Sequence, residues 1–293
     1  MKPIIPQIMK ELYCRFQDDE VPALGAQLTF YIILSFFPFL IFLFTILSYT
    51  PINSDAFLLD LSHLLPREAY LIVHKTIKEI LKVRNTTLLS FGMITTLWSA
   101  SNGVNSIIRG LNKAYDEEET RSFLVLRGIS LFFTIALTTS IAFSLSFLVF
   151  GEILGFYLFS IIGISPWFGI SWSIFRYFIM IITILIVFIF LYKHMPNRQL
   201  TFKEVLPGTI FSTFFWILLS ILFSKYINHF GKFNIMYGSI GGIIILLLWM
   251  YISSIVILLG GELNAVLLFL KEGKSKPRCK NFGGLPFFTS SKP

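Results

Sequence analysis

Charged residues are scarce in this sequence. Only 14% of its 293 residues are Asp, Glu, Lys or Arg, whereas a typical soluble domain has about 25%. Hydrophobic residues make up 55% and aromatic residues 17% of the chain, and the mean hydropathy is +0.76. This composition argues against a large soluble domain and indicates helices embedded in a lipid bilayer.

The motifs of the common enzyme classes are also missing. Two cysteines, Cys14 and Cys279, lie near opposite ends of the chain, and the four histidines make no pair at metal-ligand spacing. The sequence has no G-x-x-x-x-G-K-[ST] phosphate loop and no G-x-S-x-G nucleophile elbow. We therefore expect no catalytic residues, no metal and no cofactor.

The basic excess of the chain has a different meaning from that of a nucleic-acid-binding protein. The net charge is +8, but most Lys and Arg residues flank long apolar runs, and no basic and aromatic RNA-binding module lies outside these runs. At such positions basic side chains anchor and orient membrane helices. Membrane lipids are therefore the expected partners, and nucleic acid is not.

Six apolar runs are long enough to cross a bilayer, which takes about 20 helical residues. They cover residues 24–49, 86–108, 124–150, 171–192, 205–227 and 238–270, with bounds good to a few residues. The predicted fold is an all-α bundle of six transmembrane helices over residues 24–270. An amphipathic segment, residues 1–23, precedes it, and a basic tail, residues 271–293, follows it.

The connections differ in character. Residues 53–85 carry apolar side chains at helical intervals among polar ones, which predicts amphipathic helices outside the bilayer. Residues 151–170 are apolar enough for either an interfacial helix or a re-entrant segment, and the sequence leaves both open. Sixteen Lys and Arg residues fall on the side of the two termini and seven on the other, with Arg176 inside a span. The positive-inside rule then places both termini in the cytoplasm.

The second span is the most polar of the six. Ser99, Asn102, Ser106 and Arg109 recur at intervals of three and four residues, which places them on one helical stripe. Lipid offers no hydrogen-bonding partner to such side chains. The stripe therefore either pairs with neighbouring helices or lines a water-filled cavity, and both interpretations remain open.

The sixth span presents two distinct faces. Small residues on one face would let another helix approach closely, and the predicted packing residues there are Gly238, Gly242, Trp249, Ser253 and Gly260. Glu262 lies on the other face. Because the second and sixth spans run in the same direction, Arg109 and Glu262 are expected at a similar depth. The predicted polar path consists of Ser99, Asn102, Ser106, Arg109, Glu262 and Asn264. The alternative places Arg109 among headgroups and Glu262 against backbone or water.

Three segments carry a family resemblance. They are ALGAQLTFYIILSFFPFL in the first span, WSASNGVNSIIRGLNKAYD in the second and YGSIGGIIILLLWMYISSIVILLGGELNA in the sixth. Over about residues 16–270 the chain resembles the YihY/BrkB family of bacterial inner-membrane proteins. The resemblance implies a multi-pass protein of the bacterial plasma membrane. The family has carried both a ribonuclease and a virulence-factor label, so it implies no mechanism.

Two functions from different classes follow. The first is a transport protein that moves an amphiphilic or small polar molecule between its helices, since the chain carries more polar stripes than a purely structural bundle needs. The second is a scaffold or assembly factor of the cell envelope that acts through residues 53–85. A membrane-embedded hydrolase or ribonuclease is disfavoured because no catalytic constellation can be assembled.

Overall fold

All the described elements are helices. The computed structural model describes residues 4–49, 86–162, 168–229 and 240–273. These ranges contain α1 (Ile4–Asp18), α2 (Val21–Tyr49), α3 (Thr86–Ala114), α4 (Phe123–Ile162), α5 (Phe168–His194), α6 (Phe202–His229) and α7 (Ile240–Lys271). The all-α class is therefore as predicted, while the predicted segment 53–85, Gly238 and most of the tail lie outside the described residues.

Four of these helices contain apolar windows long enough to cross a membrane. The windows are Phe123–Ser140 in α4, Tyr177–His194 in α5, Phe202–Tyr226 in α6 and Ile244–Lys271 in α7. In α2 the apolar window is the shorter Val21–Phe36. Helix α3 has 29 residues but is less apolar than the other five long helices, because it carries the polar stripe. The described chain is thus a multi-pass membrane protein with four long apolar candidate spans.

Helix α4 continues beyond the predicted third span. Its 40 residues run through Ile162, so the first part of 151–170, for which the sequence left two interpretations open, is helical. The reason is that Gly151 and Gly155 only weaken a helix, whereas the first proline after the apolar run is Pro166. At the usual rise a helix of this length measures about 60 Å, roughly twice the hydrocarbon thickness of a bilayer.

Helices α3 and α7 join most of the bundle together. Helix α3 packs against α2, α4 and α7, while α7 also packs against α1, α2 and α6. The buried core holds Ile108 and Leu111 of α3, Tyr192 of α5 and Ala265 of α7. It lies near the ends of these helices that meet the 115–122 and 195–201 connections.

A network of polar contacts closes this end of the bundle. The amide nitrogen of Asn197 donates to the side chain of Asn112 over 2.7 Å, and the guanidinium of Arg198 pairs with Glu272 over 2.7 Å. The Arg121 guanidinium donates two hydrogen bonds of 2.6 Å to Glu119 and lowers the pKa of that carboxyl. We call the surface formed by α1, residues 115–122, residues 195–201 and the end of α7 the capped face.

One buried arginine holds helix α1 against the other parts of the capped face. Arg15 is 1% exposed, donates to the carbonyl oxygen of Ala114 over 2.7 Å and pairs with Asp116 at 3.4 Å. Its guanidinium also lies 4.7 Å from the ring centroid of Phe269. The N-terminal segment is therefore packed into the protein through Arg15, in addition to being amphipathic as predicted.

Candidate functional site

The predicted polar stripe of α3 is divided by its neighbours into two edges. Ser99 and Ser106 are buried at 5% and 2% exposure, while Asn102 is half-buried and Arg109 is exposed. Ser106 donates to the backbone oxygen of Asn102, one turn earlier in the same helix. The inner edge is thus packed among helices, and the outer edge lies along the groove between α3 and α4.

Helix α4 supplies basic and hydroxyl groups to this outer edge. The guanidinium of Arg127 donates to the Asn102 side-chain oxygen over 2.8 Å and to the Trp98 backbone oxygen over 3.3 Å. It also lies 3.8 Å from the centroid of the Trp98 ring, within cation–π range. One turn along, the Ser130 hydroxyl donates to the Asn105 side-chain oxygen over 2.5 Å. We call the surface formed by Trp98, Asn102, Asn105, Arg109 and Arg127 the polar groove; Ser130 is buried beneath it.

The two polar residues predicted on α7 lie deep in the bundle instead. Asn264 is 1% exposed and joins α7 to α6, since its oxygen accepts from the Gly208 amide over 2.6 Å and its nitrogen donates to the Val205 carbonyl over 3.1 Å. This contact satisfies backbone groups next to Pro207. Asn264 therefore fastens one helix to another.

Glu262 is also buried, at 2% exposure. Burial raises the pKa of the Tyr115 hydroxyl, the charge of Glu262 adds to this, and among the described residues that hydroxyl has no hydrogen-bond partner. The structure does not bring Arg109 to Glu262. Arg109 is exposed and forms no ion pair within the described ranges. The six residues of the predicted path thus do not line one surface: Ser99 and Ser106 lie on the inner edge of α3, Asn102 and Arg109 on its outer edge, and Glu262 and Asn264 inside the bundle on α7.

The closest helix approach involves only part of the predicted packing stripe. A Cβ added to Gly260 of α7 would overlap the hydroxyls of Ser212 and Tyr192, and one added to Gly208 of α6 would overlap the Gly260 carbonyl. Further along, the rings of Trp249 and Trp216 have centroids 6.0 Å apart. Ser253 is buried at 7%.

At Gly242 the structure differs from the expected packing contact. The residue is exposed, and an added Cβ would meet nothing within 4 Å in the described part of the chain. The physical reason is that the glycine spacing G-x-x-x-G allows close approach but cannot specify that a partner helix is present at that level.

Two clefts open on the sides of the bundle, and both are mostly apolar. One has a volume of about 490 Å³ between α4 and α5 and is lined by Phe132, Phe133 and Phe190, among others. The other, of about 480 Å³, lies between α2 and α7 next to Phe30 and Leu248. Neither contains the convergent polar groups that a specific ligand site needs. The polar groove is therefore the better candidate site.

Sequence reasoning missed the contribution of α4 to the polar groove. Arg127 lies near the start of the third span. By sequence position alone it is therefore counted with the basic connection that follows the second span. Its spacing to Ser130 is a helical turn, the same as that of Asn102 to Asn105. This matched spacing was the available signal, but pairing the two sets requires the register of α3 against α4.

Comparisons with known proteins agree on one family. The family model described as Virulence factor BrkB matches residues 12–281. The chain is 43% identical over 259 residues to the putative ribonuclease-like protein YfkH of Bacillus subtilis (strain 168), covering 88% of this chain and 94% of that protein. It is 26% identical over 262 residues to a UPF0761 membrane protein of Mannheimia succiniciproducens, covering 87% of each. No solved structure matches significantly.

Proposed function

The chain belongs to the BrkB family of membrane proteins, and from that premise we propose that it binds an amphiphilic or small polar molecule along the polar groove and moves it across the bilayer. The observation that supports this is the exposure of the groove. Where a polar side chain only joins helices, as at Asn264 and Tyr192, that side chain is fully buried. In the polar groove, by contrast, Asn102 is half-buried and Arg109 is exposed.

The energetic argument rests on the cost of polar groups in a membrane. An accessible amide or guanidinium within a span faces lipid, water or a ligand, and lipid gives it no partner. Within the second span this applies to Asn102 and Asn105, whereas Arg109 follows the predicted end of that span at residue 108 and Arg127 lies near the start of the third. A sequence under no functional demand would replace such groups by apolar ones, so the polar groove favours a path for a molecule with polar parts.

The proposed topology has six spans, with α2 and α3 added to the four long apolar helices, and both termini cytoplasmic. Its support is the Lys and Arg distribution of 16 against 7. Reporter fusions after residue 85 and after residue 285 are expected to report opposite sides of the membrane. Reports from the same side would contradict the six-span arrangement.

Transport itself is tested in vesicles. The purified chain, reconstituted into liposomes with and without a proton gradient, is expected to move a fluorescent lipid or a small polar solute faster than protein-free vesicles do. Correctly folded, incorporated protein that moves neither would count against transport and in favour of the envelope scaffold. The absence of enzymatic activity stays a prediction, and the ribonuclease-like name belongs to the relative that carries it.

A further inference from the structure

We propose that the polar groove binds the phosphate group of an anionic phospholipid, through Arg109 and Arg127, with the lipid chain lying along the exposed apolar part of α3. The proposal deepens the proposed function and rests on it. Three independent observations support it: the direction in which Arg127 extends, the lack of carboxylate partners for both arginines, and the order of side chains along α3.

Arg127 extends into the membrane rather than toward the nearer capped face. Because Ser130 of α4 contacts Asn105 of α3, these two residues lie at a similar height along the two helices. Helices α3 and α4 are joined by the short 115–122 connection and so run in opposite directions. Arg127 lies one turn nearer the capped face than Ser130, whereas its partner Asn102 lies one turn farther from it than Asn105. Arg127 and Asn102 therefore differ in height by about 9 Å at a rise of roughly 1.5 Å per residue, and their two side chains together bridge this difference, with Arg127 pointing away from the capped face.

The pairing of arginines differs sharply between the capped face and the polar groove. Arg15, Arg121 and Arg198 each pair with at least one carboxylate. Arg127 has only neutral partners, and Arg109 forms no ion pair, as far as the described residues go. Two arginines without a carboxylate on one groove leave a positive field that an anion would neutralise, and guanidinium groups bind phosphate in a bidentate manner.

The side chains along the outer edge of α3 separate into an apolar part and a cationic part, which matches the acyl chains and the anionic headgroup of a phospholipid. Phe91, Ile94 and Trp98 are 62%, 62% and 58% exposed and lie on the same helical face as Asn102 and Arg109, at spacings of three and four residues. The apolar residues occupy the part farther from the capped face, and the cationic ones the part nearer to it. A free phosphate would use only the second part, whereas a phospholipid would cover both.

The test measures binding to the full chain in detergent. A fluorescent phosphatidylglycerol is titrated with the protein by anisotropy and then competed with unlabelled phosphatidylglycerol, phosphatidylcholine or inorganic phosphate. We expect displacement by phosphatidylglycerol alone. Arg127→Gln and Arg109→Gln should each weaken binding about tenfold, since hydrogen bonds between charged groups are the strong ones.

The matched control is Lys203→Gln, which removes one exposed positive charge near the start of α6, away from the groove. It should change the affinity by less than about twofold, because an exposed charge at that distance is largely screened. Arg127→Gln also removes hydrogen bonds between α4 and α3, so a loss of binding in that variant could come from misfolding. Arg109→Gln avoids this, because Arg109 makes no ion pair or side-chain hydrogen bond within the described ranges.

Three results would overturn the proposal. They are equal weakening by Lys203→Gln, unchanged binding in both arginine variants, and displacement by inorganic phosphate as effective as by the lipid. The vesicle assay separates this proposal from transport. Selective binding without lipid movement would support the binding site and contradict the transport function. Lipid movement that neither arginine substitution affects would contradict the binding site only.

Discussion

Gly260→Ala is expected to destabilise the protein by about 3 kcal/mol, near the upper end of the cost of overpacking a core. The added methyl group would overlap the hydroxyls of Ser212 and Tyr192. These two hydroxyls are themselves fixed, 2.6 Å apart, and the Tyr192 hydroxyl donates to the Ile257 carbonyl over 2.7 Å. The side chains cannot swing aside without breaking buried hydrogen bonds, so α6 and α7 would have to separate.

Thermal unfolding of the purified protein and the yield of monodisperse material measure this effect. Gly242→Ala is the matched control, since it makes the same chemical change in the same helix at an exposed position. Its midpoint should stay within the error of the native protein. Equal stability of the two variants would show that α6 and α7 do not meet at Gly260.

Arg15→Met should destabilise the protein by about 3 to 5 kcal/mol, the range found when one partner of a buried ion pair is removed. The substitution keeps the length of the side chain but removes the donor to Ala114 and the partner of Asp116. It also removes a neighbour of Asp19, which is 3% exposed and 3.9 Å from the guanidinium. We expect α1 to detach from the capped face.

Detachment is measured by protease cleavage of the N-terminal segment together with the unfolding midpoint. Lys113→Gln serves as the comparison, because it breaks the exposed pair with Glu20, whose oxygen lies 3.1 Å from the lysine nitrogen. Exposed pairs contribute about 0 to 1 kcal/mol. If the two variants are cleaved and unfold alike, Arg15 does not hold α1 in place.

The expected effects are largest where the sequence signal is weakest. Arg15 is one of three basic residues in an amphipathic segment, and its spacing is equally suited to a helix on the membrane surface. Only the tertiary structure buries its guanidinium against Asp19 and brings the Ala114 carbonyl oxygen and Asp116 to it. Gly260 is likewise one of several glycines in α7, and nothing in its neighbourhood distinguishes it from Gly242.

The sequence by itself determined the helical class and the membrane location, and three of its segments carried the family resemblance. The class and the location follow from composition and local periodicity, because a bilayer demands long apolar helices whatever they pack against. The sequence also indicated that α3 is the polar helix. The sequence left the end of α4 open, because an apolar helix can continue beyond the bilayer and hydropathy alone does not mark where it stops.

Tertiary structure decided which side chains meet. Asn264 and Arg109 both looked like members of a polar path, yet Asn264 binds the backbone of α6, while Arg109 stays exposed on the outer edge of α3. The physical reason is that helical periodicity gives the direction of a side chain around its own axis only. Whether that direction meets a helix, a hydroxyl or lipid depends on the register and rotation of neighbouring helices, which long-range packing sets.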